Sequence, residues 1–230
     1  VPATLAGFPA IRTLIGEGKN VNATLIFSLE QYESTAQAFI TGLNERFAAG
    51  EDISRVASVA SVFVSRIDTT IDKLIDKSNN AELKRLRGRA AVANSKRIFE
   101  KSLELFAGAT WDKLASRGAR VPRVLWASTG TKDPAYSDIK YFAELIGRGV
   151  VNTVPDNTYA ALLDHGRAEI TLTDLSSAHQ VIGELKNYGI DIDEVCSVLL
   201  TEGIGVFKRS FASLLAAIES KARQAAAAHI

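Results

Sequence analysis

Three short phrases place polar side chains at spacings that chemistry can use. Asn22 and Thr24 stand two residues apart in Val21-Asn22-Ala23-Thr24-Leu25-Ile26-Phe27. On a strand they project to the same face. A buried amide and hydroxyl need hydrogen-bond partners, which neighbouring backbone, water or a substrate can supply. Ser61, Phe63 and Ser65 likewise share one face, and Arg66 follows at once. A guanidinium at the end of a strand can grip phosphate through paired hydrogen bonds. It can equally form an ion pair with a neighbour such as Asp68. The third phrase is Trp126-Ala127-Ser128-Thr129-Gly130-Thr131-Lys132-Asp133. Its amides and hydroxyls can cradle an anion or simply close a capped turn. The glycine and lysine spacing of the nucleotide-binding phosphate loop is absent.

Other chemistries find less support. His165, His179, His229 and Cys196 do not form a metal-ligand spacing. Cys196 lies among Val195, Val198 and Leu199 and reads as an inert core thiol. Lys84, Arg85, Arg87 and Arg89 form a basic run without interleaved aromatics, which reads as a solvated helix face. Neither a dinucleotide fingerprint nor a nucleophile elbow is present.

The elements that must position these phrases follow from periodicity. Phe8, Ile11, Leu14 and Ile15 recur at helical spacing, and Gly16 and Gly18 end the run. Val21–Phe27 is a short apolar strand. Ser28 and Gln31 have capping-box spacing and open a helix through Ala36, Phe39, Ile40, Leu43 and Phe47. Val56–Val64 contains a second strand, and Ile67, Ile71, Leu74 and Ile75 a helix. Residues 80–107 read as one long charged helix. Val121–Ser128 is a third strand, Pro134 opens another helix through Tyr141, and Gly149–Pro155 is a fourth strand. Asp156 or Asn157 is the expected cap of the next helix. From Thr173 onward the pattern is helical, fraying at Ala225–Ala228.

Apolar strands alternating with helices imply a parallel α/β sheet. Its active site belongs at the C-terminal strand ends, where the three phrases fall. Val1–Thr4 adds a possible fifth strand. Five strands fit a small doubly wound sheet or the C-terminal part of an eight-stranded barrel, and periodicity does not choose. No composition break divides residues 1–230, so one domain is expected.

Charge and composition exclude several classes. The 230 residues carry 27 basic and 26 acidic side chains, a formal net charge of +1. That balance argues against a general electrostatic grip on nucleic acid or anionic lipid. The single cysteine fits a reducing compartment and a cytoplasmic location. No apolar run approaches the ~18 residues of a membrane span. The sequence has no methionine.

Taken together, five phrases resemble the transaldolase family. They are Val1-Pro2-Ala3-Thr4, Asn22-Ala23-Thr24-Leu25-Ile26-Phe27-Ser28, Ser61-Val62-Phe63-Val64-Ser65-Arg66-Ile67-Asp68, Leu125-Trp126-Ala127-Ser128-Thr129 and Val151-Asn152-Thr153-Val154-Pro155. They occur in the family's order and spacing over essentially the whole chain. The resemblance implies a (β/α)8 TIM barrel, with this chain covering roughly strands four to eight plus inserted helices at residues 80–117 and C-terminal helices. It implies transfer of a dihydroxyacetone unit from sedoheptulose 7-phosphate to glyceraldehyde 3-phosphate through a lysine Schiff base, with no metal or organic cofactor. A fructose 6-phosphate aldolase and a non-catalytic sugar-phosphate-binding fragment are the alternatives.

By the same resemblance, Asn22 binds a substrate hydroxyl and Thr24 holds the water that shuttles protons. Ser61 and Phe63 line the substrate channel. Arg66 clamps the sugar phosphate, and Ser128 assists. Gly130 stands where some members carry a second phosphate-binding arginine, and Lys132 is expected to supply that charge. In the family phrase Lys-Val-Pro-Ala-Thr the Schiff-base lysine immediately precedes the residue matching Val1. The family's acid/base aspartate and water-holding glutamate also lie on earlier strands. The expected origin of this start is an interruption at a modified lysine, a cleaved chain or a fragment. The expected partners are sugar-phosphate substrates and a second copy or a fused module, without nucleic acid or membrane.

Overall fold

The computed structural model describes residues 1–78 and 80–227, so His229 and Ala228 lie outside the described residues. In chain order the elements are α1 (Gly7–Gly16), β1 (Asn22–Ile26), α2 (Leu29–Ala48), β2 (Val59–Phe63), α3 (Ser65–Lys77), α4 (Ala81–Lys84), α5 (Ala90–Leu105), α6 (Ala109–Ala115), β3 (Arg123–Ala127), α7 (Lys140–Ala143), β4 (Val151–Asn152), α8 (Asp156–His165), α9 (Ser176–Asn187) and α10 (Ile192–Ala227).

The strands form one parallel sheet in the order β1-β2-β3-β4. Strand order therefore follows chain order, as in a barrel. A doubly wound sheet would reverse direction at a switch point. Ahead of β1, Pro2 bridges Thr24 in parallel. The Ala3 amide donates to the Thr24 carbonyl at 2.8 Å, and the Thr24 amide to the Val1 carbonyl at 2.9 Å. Val1–Ala3 thus forms a further parallel edge beside β1.

Local chemistry explains most boundaries. Ser28 and Gln31 form the expected reciprocal capping box at the start of α2. Gly42 lets α1 and α2 approach closely, because a Cβ there would lie 2.5 Å from the Arg12 carbonyl oxygen. Three readings are corrected. Residues 80–107 are not one helix but α4, a turn and α5. The turn contains Gly88 at φ +66°, a conformation suited to glycine. Carboxylates of α3 stabilise the break: Asp72 accepts the Gly88 amide at 2.9 Å, and Asp68 accepts the Ala91 amide at 2.8 Å. These tertiary contacts override a continuous amphipathic pattern. Pro134 likewise opens turns rather than a helix, and only Lys140–Ala143 is helical. There Asp133 accepts the Ala135 amide at 2.9 Å and pairs with Arg87 at 2.7 Å. The cap of α8 is neither Asp156 nor Asn157 but extended Pro155, and Asp156 falls in the first turn, where its charge favours the exposed amides.

Ile192, Val195, Cys196 and Leu199 pack the first half of α10 into the core. Farther along, Phe207, Phe211, Leu214, Leu215 and Ile218 are exposed. Among the described residues, no helix is long and apolar enough to cross a membrane.

Candidate functional site

The register places Ser61 beside Leu125 and Phe63 beside Ala127, while Val62 and Trp126 form an adjacent pair between them. Side chains alternate along a strand, so Ser61 and Phe63 face away from fully buried Val62 and Trp126. Asn22 shares the Ser61 face, because the Ser61 hydroxyl donates to Asn22 Oδ1 at 2.7 Å. Thr24 lies on the same side of β1 by its spacing from Asn22. Immediately afterwards the strand is irregular: its register slips between Ala23 and Ile26, and Leu25 adopts φ +59°. A branched residue rarely takes that conformation without support.

Gln31 supplies that support. Its Oε1 accepts the amides of Phe27 and Ser28 at 3.0 and 3.1 Å. Its Nε2 donates to the carbonyls of Ala3 and Leu25 at 2.7 and 3.0 Å. One side chain thereby joins the Val1–Ala3 edge to the end of β1. From the other side, fully buried Asn94 of α5 donates to the Phe27 carbonyl at 2.7 Å. Sequence reading treated Gln31 only as a cap and missed Asn94, which carries no local signal.

At the next two strand ends, Ser65 and Ser128 come together. Ser65, the neighbour of Arg66, donates its amide to the Ser128 carbonyl at 2.9 Å. The two serine hydroxyls lie 3.2 Å apart. Ser128 itself sits at φ +55°. The Arg66 guanidinium lies 5.6 Å from the centre of the Phe63 ring, and the Phe63 and Phe27 rings are 5.3 Å apart. The alternative ion pair between Arg66 and Asp68 is not formed. Asp68 is 1% exposed and points the other way, accepting from the Ala91 amide and the Tyr141 hydroxyl. Among the described residues, Arg66 has no carboxylate within ion-pair distance. Lys132 lines a cavity with Asp68, Asp72, Asp76, Arg87, Asp133 and Tyr136.

Several other charged groups have partners of their own. Arg85 pairs with Glu82 and Glu184, and Arg87 with Asp76 and Asp133. His165 bonds Asp138 and Asp164, and His179 bonds Glu100. No metal-holding cluster occurs among the described residues. Cys196 is fully buried, and burial pushes its thiol up to about 12, far from the thiolate a nucleophile needs.

Burial also pushes Asp68 up to about 6, assisted by the charge of Asp72 and opposed by the Ala91 amide, Tyr141 and Lys140. The unfolded carboxylate titrates near 4. Below that pH both states hold the proton. As pH rises through the folded value, the native protein must ionise a buried group, so this group's stabilising contribution is lost. The expected loss is about 2–3 kcal/mol between about pH 4 and 6. Urea unfolding of the wild type and Asp68→Asn across that window measures it. A stability difference that stays constant with pH would refute the raised value.

Residues 1–218 match the family model for transaldolase/fructose-6-phosphate aldolase. Transaldolase 2 of Nostoc punctiforme is 44% identical over 233 residues, covering 96% of this chain and 61% of that protein. The transaldolase of Parafrankia sp. is 42% identical over 228 residues, covering 98% and 62%. That of Trichodesmium erythraeum is 43% identical over 235 residues, covering 97% and 62%. The chain therefore spans about three-fifths of the length of the curated relatives it matches. Sheet order and family agree on part of a (β/α)8 barrel, and the chain belongs to the transaldolase/fructose-6-phosphate aldolase family.

Proposed function

We propose that the chain supplies the substrate-holding side of a transaldolase. The observation that carries this reading is the meeting of Ser65, the residue before Arg66, with Ser128 at adjacent strand ends, one strand from Asn22 and Thr24. A phosphate held at Arg66 leaves the sugar chain to extend along the sheet toward Asn22.

The register supports the position of the nucleophile. Pro2 pairs with Thr24, so a lysine preceding Val1, as in the family phrase, would be the partner of Asn22 and share its face. Its neutral amine attacks the ketose carbonyl, and loss of water gives an imine. Thr24 holds the water that exchanges protons in this step. Deprotonation of the donor's C4 hydroxyl then breaks the C3–C4 bond. The electron pair moves into the protonated imine, giving an enamine and releasing an aldehyde. The enamine attacks the incoming aldehyde carbon, and hydrolysis frees the new ketose and the lysine. Asn22 binds a substrate hydroxyl throughout, Ser61 holds Asn22 in place, and Phe63 walls the channel. Lys132 contributes positive charge from the cavity it lines beside α3.

Fructose 6-phosphate aldolase is the second reading, because the family description covers both. The helices α4–α6 between β2 and β3 match the expected insertion and favour transaldolase. Borohydride treatment of the intact protein with fructose 6-phosphate should trap a dihydroxyacetone unit on one lysine, located by mass spectrometry. Absence of an adduct overturns the Schiff-base reading. Trapped protein that cannot pass the unit to erythrose 4-phosphate before reduction points to the aldolase.

A further inference from the structure

Arg66 lies on the first turn of α3, and two contacts reach that turn from the β3 side. One is the Ser65–Ser128 pair described above. The other is the hydrogen bond from the Tyr141 hydroxyl to Asp68 Oδ2 at 3.0 Å. Tyr141 is 2% exposed and lies on α7, farther along the connection that begins at Ser128. Asp68 Oδ1 also accepts the Ala91 amide, which fixes the carboxylate on its third side. Residues two apart on a helix point in nearly opposite directions, so Asp68 cannot touch what Arg66 binds. It acts instead on the orientation of the turn.

Without Tyr141, the turn is held by Ser65 at its start and by the Ala91 amide on Asp68 from α5. The Tyr141 hydroxyl adds a further attachment from the β3 side, which limits the remaining roll of the turn. The end of a long side chain magnifies any roll: about 10° moves a guanidinium by about 1 Å, a displacement that can cost tenfold or more. The Asp72–Tyr136 bond at 2.7 Å lies one turn farther on. It braces the body of α3 rather than the turn that carries Arg66.

We infer that the Tyr141–Asp68 hydrogen bond is a positioning device that sets Arg66 against the substrate phosphate. This rests on the phosphate-clamp reading. Its test uses the intact protein with glyceraldehyde as acceptor and either fructose 6-phosphate or fructose as donor. Tyr141→Phe should raise KM for fructose 6-phosphate about tenfold while leaving kcat/KM for fructose within about twofold. Asp68→Asn should retain the wild-type KM, because its carbonyl still accepts the Ala91 amide and its NH2 can donate to the tyrosine oxygen. An unchanged KM for the phosphorylated donor in Tyr141→Phe overturns the inference, and so does equal loss on both donors. Arg66→Ala in the same assay separates the two readings. If it spares fructose 6-phosphate, the clamp itself fails. If it discriminates and Tyr141→Phe does not, only the positioning role falls.

Discussion

Arg66→Ala is expected to weaken binding of phosphorylated sugars about 100-fold or more, with little effect on fructose or dihydroxyacetone. Two charge-assisted hydrogen bonds to a phosphate, each contributing about 1.5 kcal/mol or more, give this size. The surroundings of Arg66 favour such a role. Nothing among the described residues competes for its charge: Asp68 faces away, and no other carboxylate lies within ion-pair range. Its planar group lies over Phe63 at 5.6 Å, which limits its orientations before any ligand arrives. Arg66→Lys should recover only part of the loss, since a lysine offers a point charge without the fork. Steady-state kinetics of the intact protein on paired phosphorylated and unphosphorylated donors make the measurement. Equal changes on both donors would remove Arg66 from phosphate recognition.

The parts legible in the sequence are those governed by local rules. Alternation put Asn22 and Thr24 on one face, and the strand-end rule drew attention to Arg66 and Ser128. Ser28 and Gln31 announced α2 by their spacing. What escaped notice depends on distant groups. The irregularity at Leu25 is invisible because Leu25, Ile26 and Phe27 are all apolar and all fully buried, so no change of pattern marks the register slip. The break before α5 escaped for a related reason. Apolar periodicity continues across Gly88, while the stabilising acceptors Asp68 and Asp72 come from α3. Lys132 follows Ser128 closely in sequence, yet the turn carries it toward the carboxylates of the α3 side.

Gln31→Ala is expected to destabilise the fold by about 3–5 kcal/mol, more than loss of an ordinary helix cap. A capping side chain contributes about 1 kcal/mol. Gln31 does more, because its amide bonds four backbone groups on two chain segments. Truncation strands those groups in a part-buried setting, each costing about 1–3 kcal/mol if water does not reach it. The carbonyl of Leu25 is the sensitive one, since its residue is held in a left-handed conformation that costs about 1–2 kcal/mol unaided. Once released, Leu25 should relax toward an ordinary strand conformation and turn Thr24 with it. Gln31→Glu separates capping from this second task. A glutamate can still accept the Phe27 and Ser28 amides, but it has no hydrogen to give the Ala3 and Leu25 carbonyls. The cap therefore survives while the link between the Val1–Ala3 edge and β1 is lost. Urea midpoints should rank wild type above Gln31→Glu, with both well above Gln31→Ala if the cap dominates. If the bridge dominates, the two variants should fall together. With two of four bonds kept, the geometry places Gln31→Glu between wild type and Gln31→Ala, and a glutamate variant as stable as wild type would reduce Gln31 to a cap.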